Sequence, residues 1–204
     1  MLLHNYFEYF DMVYFINLPI RTDRYDNIMN MFRILNITKY KKIVPITDDI
    51  SSTKSCKSSH ISCIDDAIEN DYDKIFIFED DVCFNQDNIE IEKKLDYHLD
   101  ICFNFLMSNN WNLFYFDNMI QFRKENNIIK GIFRDKVHKG IEKIPGKLFT
   151  HSYAIHKESF KCIKDFASSD LNIDSILYII KLDNKYMYCE GIFDQSLNIT
   201  SDIN

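Results

Sequence analysis

The sequence predicts an α/β fold in which one mainly parallel central sheet is flanked by helices. Over the first half of the chain, short apolar runs of strand length alternate with amphipathic helical patterns, an order typical of parallel sheets. The run at residues 74–78 (KIFIF) is apolar on both of its faces, which predicts a central strand covered on both sides. The 204 residues include only four glycines and three prolines, and no linker pattern interrupts them. We therefore expect one domain, residues 1–204.

The remaining elements are predicted from apolar periodicity in chain order. Strands are expected at residues 13–17, 43–46, 74–78, 111–116, 150–155 and 186–190. Helices are expected after the first strand and at residues 56–70, 87–107, 156–167 and 173–182, with a small hairpin insertion formed by residues 119–123 and 128–133.

Two of these helices have an apolar face that should point to the core. In the first helix, Thr22 or Asp23 is expected to cap the start, and the apolar face is Ile28, Met31, Phe32 and Leu35. In the helix at residues 56–70, the inward side is expected to be His60, Ile64, Ala67 and Ile68.

Composition and charge exclude several classes of function. The 24 basic and 31 acidic residues give 24 − 31 = −7, a net charge that repels nucleic acid and anionic lipid, and no long basic patch offsets it. The six cysteines form no C-x-x-C pair, so we expect reduced thiols rather than a zinc cluster. The N-terminus lacks the pattern of a signal peptide, and no apolar window is long enough to span a membrane. A cytoplasmic location is therefore expected.

Three adjacent carboxylates, Glu79, Asp80 and Asp81, follow the predicted central strand. Ligands of parallel sheets bind at the carboxyl ends of the strands, and like charges repel unless a cation or solvent offsets them. Glu79 and Asp81 have one residue between them and can face the same ion where the strand becomes a loop. Hard oxygen ligands suit Mn²⁺ or Mg²⁺. The alternative is an exposed acidic turn.

Four segments, taken in order, resemble glycosyltransferase family 25. Residues 13–24 (VYFINLPIRTDR) are similar to the opening strand of the family, and residues 55–60 (SCKSSH) to its Gly-Cys-x-x-Ser-His segment. Residues 75–84 (IFIFEDDVCF) resemble its Glu-Asp-Asp strand end, and residues 150–155 (THSYAI) its Thr-His-Ala-Tyr segment. Ser55 replaces the usual glycine, and the proline that often precedes the family's late aspartate is absent before Asp174.

The resemblance implies a GT-A-like fold and a specific reaction. A hexose would pass from a nucleoside-diphosphate sugar, such as a UDP-hexose, to an acceptor hydroxyl with inversion at the anomeric carbon. The acceptor would be a glycan or a hydroxylysine-like protein side chain. Mn²⁺ or Mg²⁺ would stabilise the leaving diphosphate.

Each carboxylate then receives an expected role. Asp81 would hold the metal with support from Glu79, while Asp80 would accept hydrogen bonds from the ribose of the donor. An inverting displacement also needs a base that accepts the proton of the acceptor hydroxyl. Asp174 is the first candidate for this base and His151 is the second, although a strand histidine can also simply bond to a neighbouring carbonyl.

The expected donor-binding residues come from the matching segments: Asn17, Leu18, Arg21, Arg24, His60, Asp80 and Gln195. The guanidinium groups of Arg21 and Arg24 follow the first strand and can engage a diphosphate or a base. The alternatives are a surface arginine pair and, for His60, a core histidine. A structural role is also open for Gln195.

Two other functions compete with this enzyme. One is a catalytically silent sugar-binding or scaffold domain of the same fold. The other is a phosphohydrolase with an aspartyl nucleophile, which fits less well because the spacing of acidic residues after the strand differs from that motif.

Overall fold

The structure is a computed structural model that describes residues 4–46, 51–84, 94–116, 136–144 and 150–196. Its strands are β1 (Met12–Ile16), β2 (Tyr40–Ile43), β3 (Lys74–Glu79), β4 (Val82–Phe84), β5 (Leu113–Tyr115), β6 (Lys136–His138), β7 (Ile141–Lys143), β8 (Ser152–His156), β9 (Lys185–Tyr188) and β10 (Phe193–Gln195). Its helices are α1 (Thr22–Ile34), α2 (Ser52–Glu69), α3 (Leu95–Ser108), α4 (Phe160–Lys164) and α5 (Ile173–Ile179), with 3₁₀ turns at Tyr6–Tyr9 and Lys157–Ser159.

Eight of these strands form one mixed sheet in the order β2-β1-β3-β8-β5-β9-β7-β6. Strand β1 pairs in parallel with β2 and β3, and β5 pairs in parallel with β9. Strand β8 lies antiparallel between β3 and β5, and β7 lies antiparallel between β9 and β6. Since β8 and β7 run against all the other strands of this sheet, the sheet is mainly parallel, as the sequence predicted.

Strand β3 is buried on both faces, which confirms the prediction for residues 74–78. Phe76 and Phe78 point into an aromatic layer that includes Phe32 of α1 and Phe103 of α3. The alternate residues Ile75 and Ile77 point to the opposite face, where α2, α4 and α5 pack. Helices therefore cover both faces of the sheet. Glu79 follows the buried stretch of β3 and lies at the carboxyl end of this strand.

Helix α1 has the predicted apolar face but a different start. Its residues Ile28, Met31 and Phe32 and the following Leu35 are all buried. The N-cap position is occupied by Arg21, and Thr22 and Asp23 lie inside the first turn, so the capping prediction was wrong. The turn that follows β1 therefore ends one residue earlier than a cap at Thr22 would require.

Strand β2 and helix α2 also begin before their predicted starts. The strand covers Tyr40–Ile43 instead of residues 43–46, because Tyr40 pairs with Val13 and packs against Phe15 at the edge of the sheet. The helix begins at Ser52, where the Ser51 side chain caps it by accepting a hydrogen bond from the Lys54 amide.

On α2, His60, Ile64 and Ala67 face inward, but Ile68 is 49% exposed, which corrects that part of the prediction. The later elements are shorter than predicted. Residues 156–167 form a 3₁₀ turn and the five-residue helix α4, and the helix predicted at 173–182 ends at Ile179. The predicted hairpin at 119–133 lies outside the described residues, whereas β6 and β7 form a hairpin that the sequence did not suggest. Strands β4 and β10, a separate two-stranded sheet, were also missed.

A buried hydroxyl ties β1 to α2. Tyr14 is fully buried, and its hydroxyl donates a hydrogen bond of 2.7 Å to Asp66 Oδ2. Lys41 of β2 donates to the other oxygen of the same carboxylate. Burial opposes ionisation of Asp66, but the hydrogen bonds from Lys41 and Tyr14 outweigh it and lower the pKa of this carboxyl.

Asp66→Ala should lower the free energy of unfolding by about 1–3 kcal/mol at pH 7, because it leaves the buried Tyr14 hydroxyl without its acceptor. Since the folded-state pKa is lower than the unfolded one, the contribution of the Asp66 charge is present above that unfolded value. It should be lost as the pH falls below about 4. Urea unfolding at several pH values measures both effects.

The neighbouring Asp65→Ala, which removes an exposed ion pair with Lys164, is the control and should change stability by less than about 0.5 kcal/mol. Equal losses in the two variants would contradict the role of Asp66.

Candidate active site

A cavity of about 510 Å³ lies where the carboxyl ends of β1 and β3 meet the first turns of α2 and α5. The sequence-predicted residues that line it are Asn17, Leu18, Arg24, His60, Glu79, Asp80, Asp81, His151, Asp174 and Gln195. Among the predicted site residues, Arg21 is the one that does not belong to the described lining. Segments far apart in the sequence therefore contribute to one cavity.

The three adjacent carboxylates point to different partners because the chain turns at the end of β3. Glu79 is the last residue of the strand, where its amide donates to the carbonyl of His151, and it lies opposite Ile16 of β1. Asp80 and Asp81 form the turn into β4. Each carboxylate therefore has its own set of neighbours.

Asp80 joins the ends of β1 and β3 from inside the protein. Its Oδ1 accepts a hydrogen bond of 2.8 Å from Arg24 Nη1, and its Oδ2 accepts one of 2.7 Å from Asn17 Nδ2. Both members of the Arg24–Asp80 pair are largely buried. Burial raises the pKa of Asp80 despite the opposing effects of Arg24 and Asn17. The resulting network fixes the loop after β1 relative to the end of β3.

Glu79 is surrounded by hydrogen-bond donors and imidazole rings. Its Oε1 accepts a hydrogen bond of 2.6 Å from the Thr150 hydroxyl and lies 3.1 Å from His60 Nε2, while Oε2 lies 3.6 Å from His151 Nδ1. Burial opposes its ionisation, but His151 and His60 hold the pKa of Glu79 well below its usual range. Glu79 is therefore a carboxylate anion at neutral pH.

Asp81 has one oxygen engaged and the other without a hydrogen bond. Its Oδ2 accepts 2.9 Å from Gln195 Nε2, and the pairing of β10 with β4 places Gln195 opposite Val82. Within the described residues, the buried Oδ1 has no hydrogen-bond partner, although it lies 3.6 Å from His151 Nδ1. Burial favours a neutral His151, but Asp81 and Glu79 outweigh it and raise the pKa of His151 well above its ordinary value.

Asp174 lies in the first turn of α5, whose N-cap side chain is Asn172. The Thr150 hydroxyl is 3.0 Å from Asp174 Oδ1, so Thr150 contacts both Asp174 and Glu79. The sequence indicated Thr150 only as the first residue of the segment THSYAI. Its contacts come from the arrival of β8 beside β3, a pairing between segments that are more than seventy residues apart.

The two arginines have separate environments. Arg21, at the N-cap of α1, forms a fork with both oxygens of Asp23 at 3.0 and 2.8 Å on the protein surface. Arg24 lies one helical turn before Ile28 on the buried face of α1. The spacing of Arg24, Ile28 and Met31 follows the apolar periodicity of the helix, and this was the available sequence signal that the arginines would separate.

The donor set of this cavity fits a hard divalent cation. Oxygen atoms of Glu79 and Asp81 and a ring nitrogen of His151 lie within 4.8 Å of one another. Asp81 Oδ1, a buried anionic oxygen without a hydrogen bond in the described ranges, is the kind of group that a cation satisfies.

Comparison with known proteins shows the family and the fold of this chain. The sequence model of glycosyltransferase family 25, described as LPS biosynthesis proteins, matches residues 39–177, which is more than half of the chain. The crystal structure of a glycosyltransferase involved in the glycosylation of the major capsid of PBCV-1 is similar, with a TM-score of 0.56, 10% identity and 93% coverage of both chains. The structure of A197 from STIV has a TM-score of 0.40 and 12% identity, and the match covers 95% of this chain and 97% of that one. No curated protein matches the sequence significantly.

The family model and the fold thus identify a glycosyltransferase with a GT-A-like architecture. The chain belongs to glycosyltransferase family 25. This membership favours the enzyme over a silent sugar-binding domain. In the part of the chain that the structure describes, no helix combines the length and apolar character needed to cross a membrane.

The two neighbouring aspartates should differ sharply in their effect on stability. Asp80→Ala should lower the free energy of unfolding by about 3–5 kcal/mol, because it leaves the buried Arg24 charge without this carboxylate. Asp81→Ala is the matched control and should cost less than about 1 kcal/mol, since it also relieves repulsion among adjacent carboxylates. Chemical denaturation of both variants measures the difference. If Asp80→Ala proves as stable as Asp81→Ala, Asp80 does not anchor the loop after β1.

Proposed function

We propose that this glycosyltransferase moves a hexose from a nucleoside-diphosphate sugar, most simply a UDP-hexose, to the hydroxyl of a glycan or hydroxylysine-like acceptor with inversion of configuration. Mn²⁺ or Mg²⁺ assists the departure of the diphosphate. The observation that carries the proposal is the buried Asp81 Oδ1, an anionic oxygen that lacks a hydrogen bond among the described residues and belongs to a side chain that lines a cavity of the size of a cofactor site.

Support for an anionic donor comes from the part of the cavity wall that the start of α2 forms. Ser52, Thr53 and Ser55, in the first turns of α2, line the cavity. The N-terminus of an 18-residue helix carries a partial positive charge and amide groups that favour a phosphate. The diphosphate would therefore lie between this helix start and the cation, and Leu18 and Asn17 would border the nucleoside.

The roles of the other expected donor contacts follow from their partners. Asp80 is already engaged by Arg24 and Asn17, yet a carboxylate accepts more than two hydrogen bonds, which leaves capacity for a ribose hydroxyl. Gln195 orients Asp81 and would act on the donor through it. Arg21 stays a predicted contact with the sugar donor. To bind the diphosphate, its guanidinium group would have to leave Asp23.

The cation would be held by Asp81, with Glu79 as the supporting ligand. Gln195 donates to Oδ2 of Asp81, so Oδ1 would be the oxygen that binds the cation. Thr150 and His60 orient Glu79. When bound, a divalent ion neutralises the charge that develops on the departing diphosphate.

The base would be Asp174. It lines the cavity, where its Oδ1 lies 3.0 Å from the Thr150 hydroxyl oxygen, whereas the Nδ1 atom of His151 faces the carboxylates of Glu79 and Asp81. The acceptor oxygen would attack the anomeric carbon as the bond from that carbon to the phosphate oxygen breaks. The acceptor proton would pass to Asp174, and the nucleoside diphosphate would leave.

Asp81→Asn should abolish metal-dependent turnover and weaken Mn²⁺ binding while the fold is kept, because the amide has the shape of the carboxylate without its charge. Calorimetric titration with Mn²⁺ in the presence of UDP measures affinity, and the melting temperature reports the fold. Glu142→Gln changes a buried carboxylate outside the cavity and serves as the control for Mn²⁺ affinity. Unchanged Mn²⁺ affinity in Asp81→Asn would remove Asp81 from the metal site.

Asp174→Asn should lower the transfer rate about 10²–10⁴-fold with little effect on the binding of UDP or Mn²⁺, because a base acts after both substrates are bound. Release of UDP from a panel of UDP-hexoses with mixed glycan acceptors measures the rate. The nearby exposed Asp170→Asn is the control and should keep the parental rate.

A competing explanation is that Asp174 only stabilises the start of α5, an effect worth about 0.3–1 kcal/mol in stability. If Asp174→Asn loses melting temperature but keeps its transfer rate, this explanation is correct. His151, the second candidate base, would first have to lose the ring proton that Asp81 and Glu79 stabilise.

A further inference from the structure

A second group of metal-ligating side chains lies on the α2 side of Glu79. Cys56 and His60 are four residues apart on α2, so their side chains share one face of the helix. The Cys56 sulfur, a ring nitrogen of His60 and a carboxylate oxygen of Glu79 all lie within 4.8 Å of one another, and all three residues line the cavity. The proposed transfer reaction gives Cys56 no role.

We propose that Cys56, His60 and Glu79 form a binding site for a thiophilic divalent cation of the Zn²⁺ class, which shares Glu79 with the oxygen site proposed at Asp81. Ligand atoms on one tetrahedral Zn²⁺ are about 3.3–3.6 Å apart, given its usual bond lengths. His60 Nε2 and Glu79 Oε1 are 3.1 Å apart, close to this separation. A rotation of the Cys56 side chain would complete a three-residue site with an open fourth position.

The groups behind these ligands are arranged as in known metal sites. A metal-bound histidine usually forms a hydrogen bond through its other ring nitrogen, which fixes the ring. Here the buried Tyr153 hydroxyl lies 2.7 Å from His60 Nδ1, so Nε2 is the nitrogen directed towards Glu79. The Thr150 hydroxyl orients the Glu79 carboxylate in the same way. Both non-sulfur ligands are therefore held in place before any ion binds.

The charge around Cys56 also favours a cation. Burial, with the charges of Glu79, Asp174 and Asp81 adding to it, raises the pKa of the Cys56 thiol. The same negative surroundings attract a divalent ion. Once the ion is bound, its own charge dominates the site and a coordinating thiol loses its proton.

Ligand type should separate the two cations. A thiolate and an imidazole favour Zn²⁺, whereas carboxylate and water oxygens favour Mn²⁺. Because both sites share Glu79, Zn²⁺ at Cys56 would withdraw this carboxylate from Asp81. Inhibition of the transferase by Zn²⁺ follows only if the proposed function is also correct, but the binding of Zn²⁺ does not depend on it.

Titration of the whole protein with Co²⁺, a spectroscopic substitute for Zn²⁺, tests the site without an activity assay. Thiolate coordination should produce a near-ultraviolet charge-transfer band in the parent protein and in Asp81→Asn. Cys56→Ser should lose the band, and Cys162→Ser, a half-buried cysteine outside the cavity lining, should keep it. Absence of the band in the parent, or its persistence in Cys56→Ser, would overturn the proposal.

A second measurement uses the unaltered chain, so it does not depend on the folding of any variant. Zn²⁺ should protect Cys56 from iodoacetamide, as mapped by mass spectrometry, while Mn²⁺ should not. Zn²⁺ affinity should also fall at least about tenfold in His60→Gln, since changes to outer-shell partners alone typically cost about 10–100-fold. Equal alkylation of Cys56 with and without Zn²⁺ would contradict the site. Retention of the cobalt band in Asp81→Asn separates this result from any failure of the Mn²⁺ proposal.

Discussion

The arrangement of this cavity depends on one electrostatic constraint, the placement of three consecutive carboxylates at the end of a buried strand. Like charges at this spacing repel, and burial makes their ionisation more costly. The chain meets the constraint by turning at Asp80, so that each carboxylate has a different set of partners. Arg24 and Asn17 engage Asp80, the histidines and Thr150 surround Glu79, and Gln195 holds Asp81. The same contacts join β1, α1, β8 and β10 to the end of β3. Local electrostatics and the assembly of the sheet are therefore parts of one arrangement.

This division of partners also explains how neighbouring residues can serve different purposes. Asp80 anchors the loop after β1, and its buried pair with Arg24 contributes mainly to geometry. Glu79 belongs to a hydrogen-bonded group that extends from Tyr153 through His60 to Thr150 and Asp174. Asp81 Oδ1 is a buried oxygen without a hydrogen bond in the described ranges, and this is why we propose it as the ligand for a cation. The proposed chemistry at the cavity thus depends on one carboxylate oxygen, Asp81 Oδ1, that has no hydrogen bond within the described ranges.

Sequence alone predicted the elements in which the spacing of apolar residues reflects their burial. Strand β3 was evident because KIFIF places apolar residues on both faces of a strand. The inward face of α1 was evident because its apolar residues repeat at helical spacing. Strand β2 begins earlier than predicted because Tyr40-Lys41-Lys42 lies at an exposed edge, where side chains need not be apolar. Strands β4 and β10 were missed because each has three residues and is defined by its pairing. For the cavity, family motifs indicated which residues take part, but the separation of Arg21 from Arg24 and the double contact of Thr150 depend on helix start and strand pairing.

The most direct test of the central claim is the position of manganese in crystals soaked with Mn²⁺ and UDP, located by its anomalous scattering. The division of roles among the carboxylates predicts one strong peak about 2.0–2.2 Å from Asp81 Oδ1, with the Arg24–Asp80 pair unchanged. Manganese bound by Asp80 after loss of that pair, or a peak at Cys56 with none at Asp81, would contradict it.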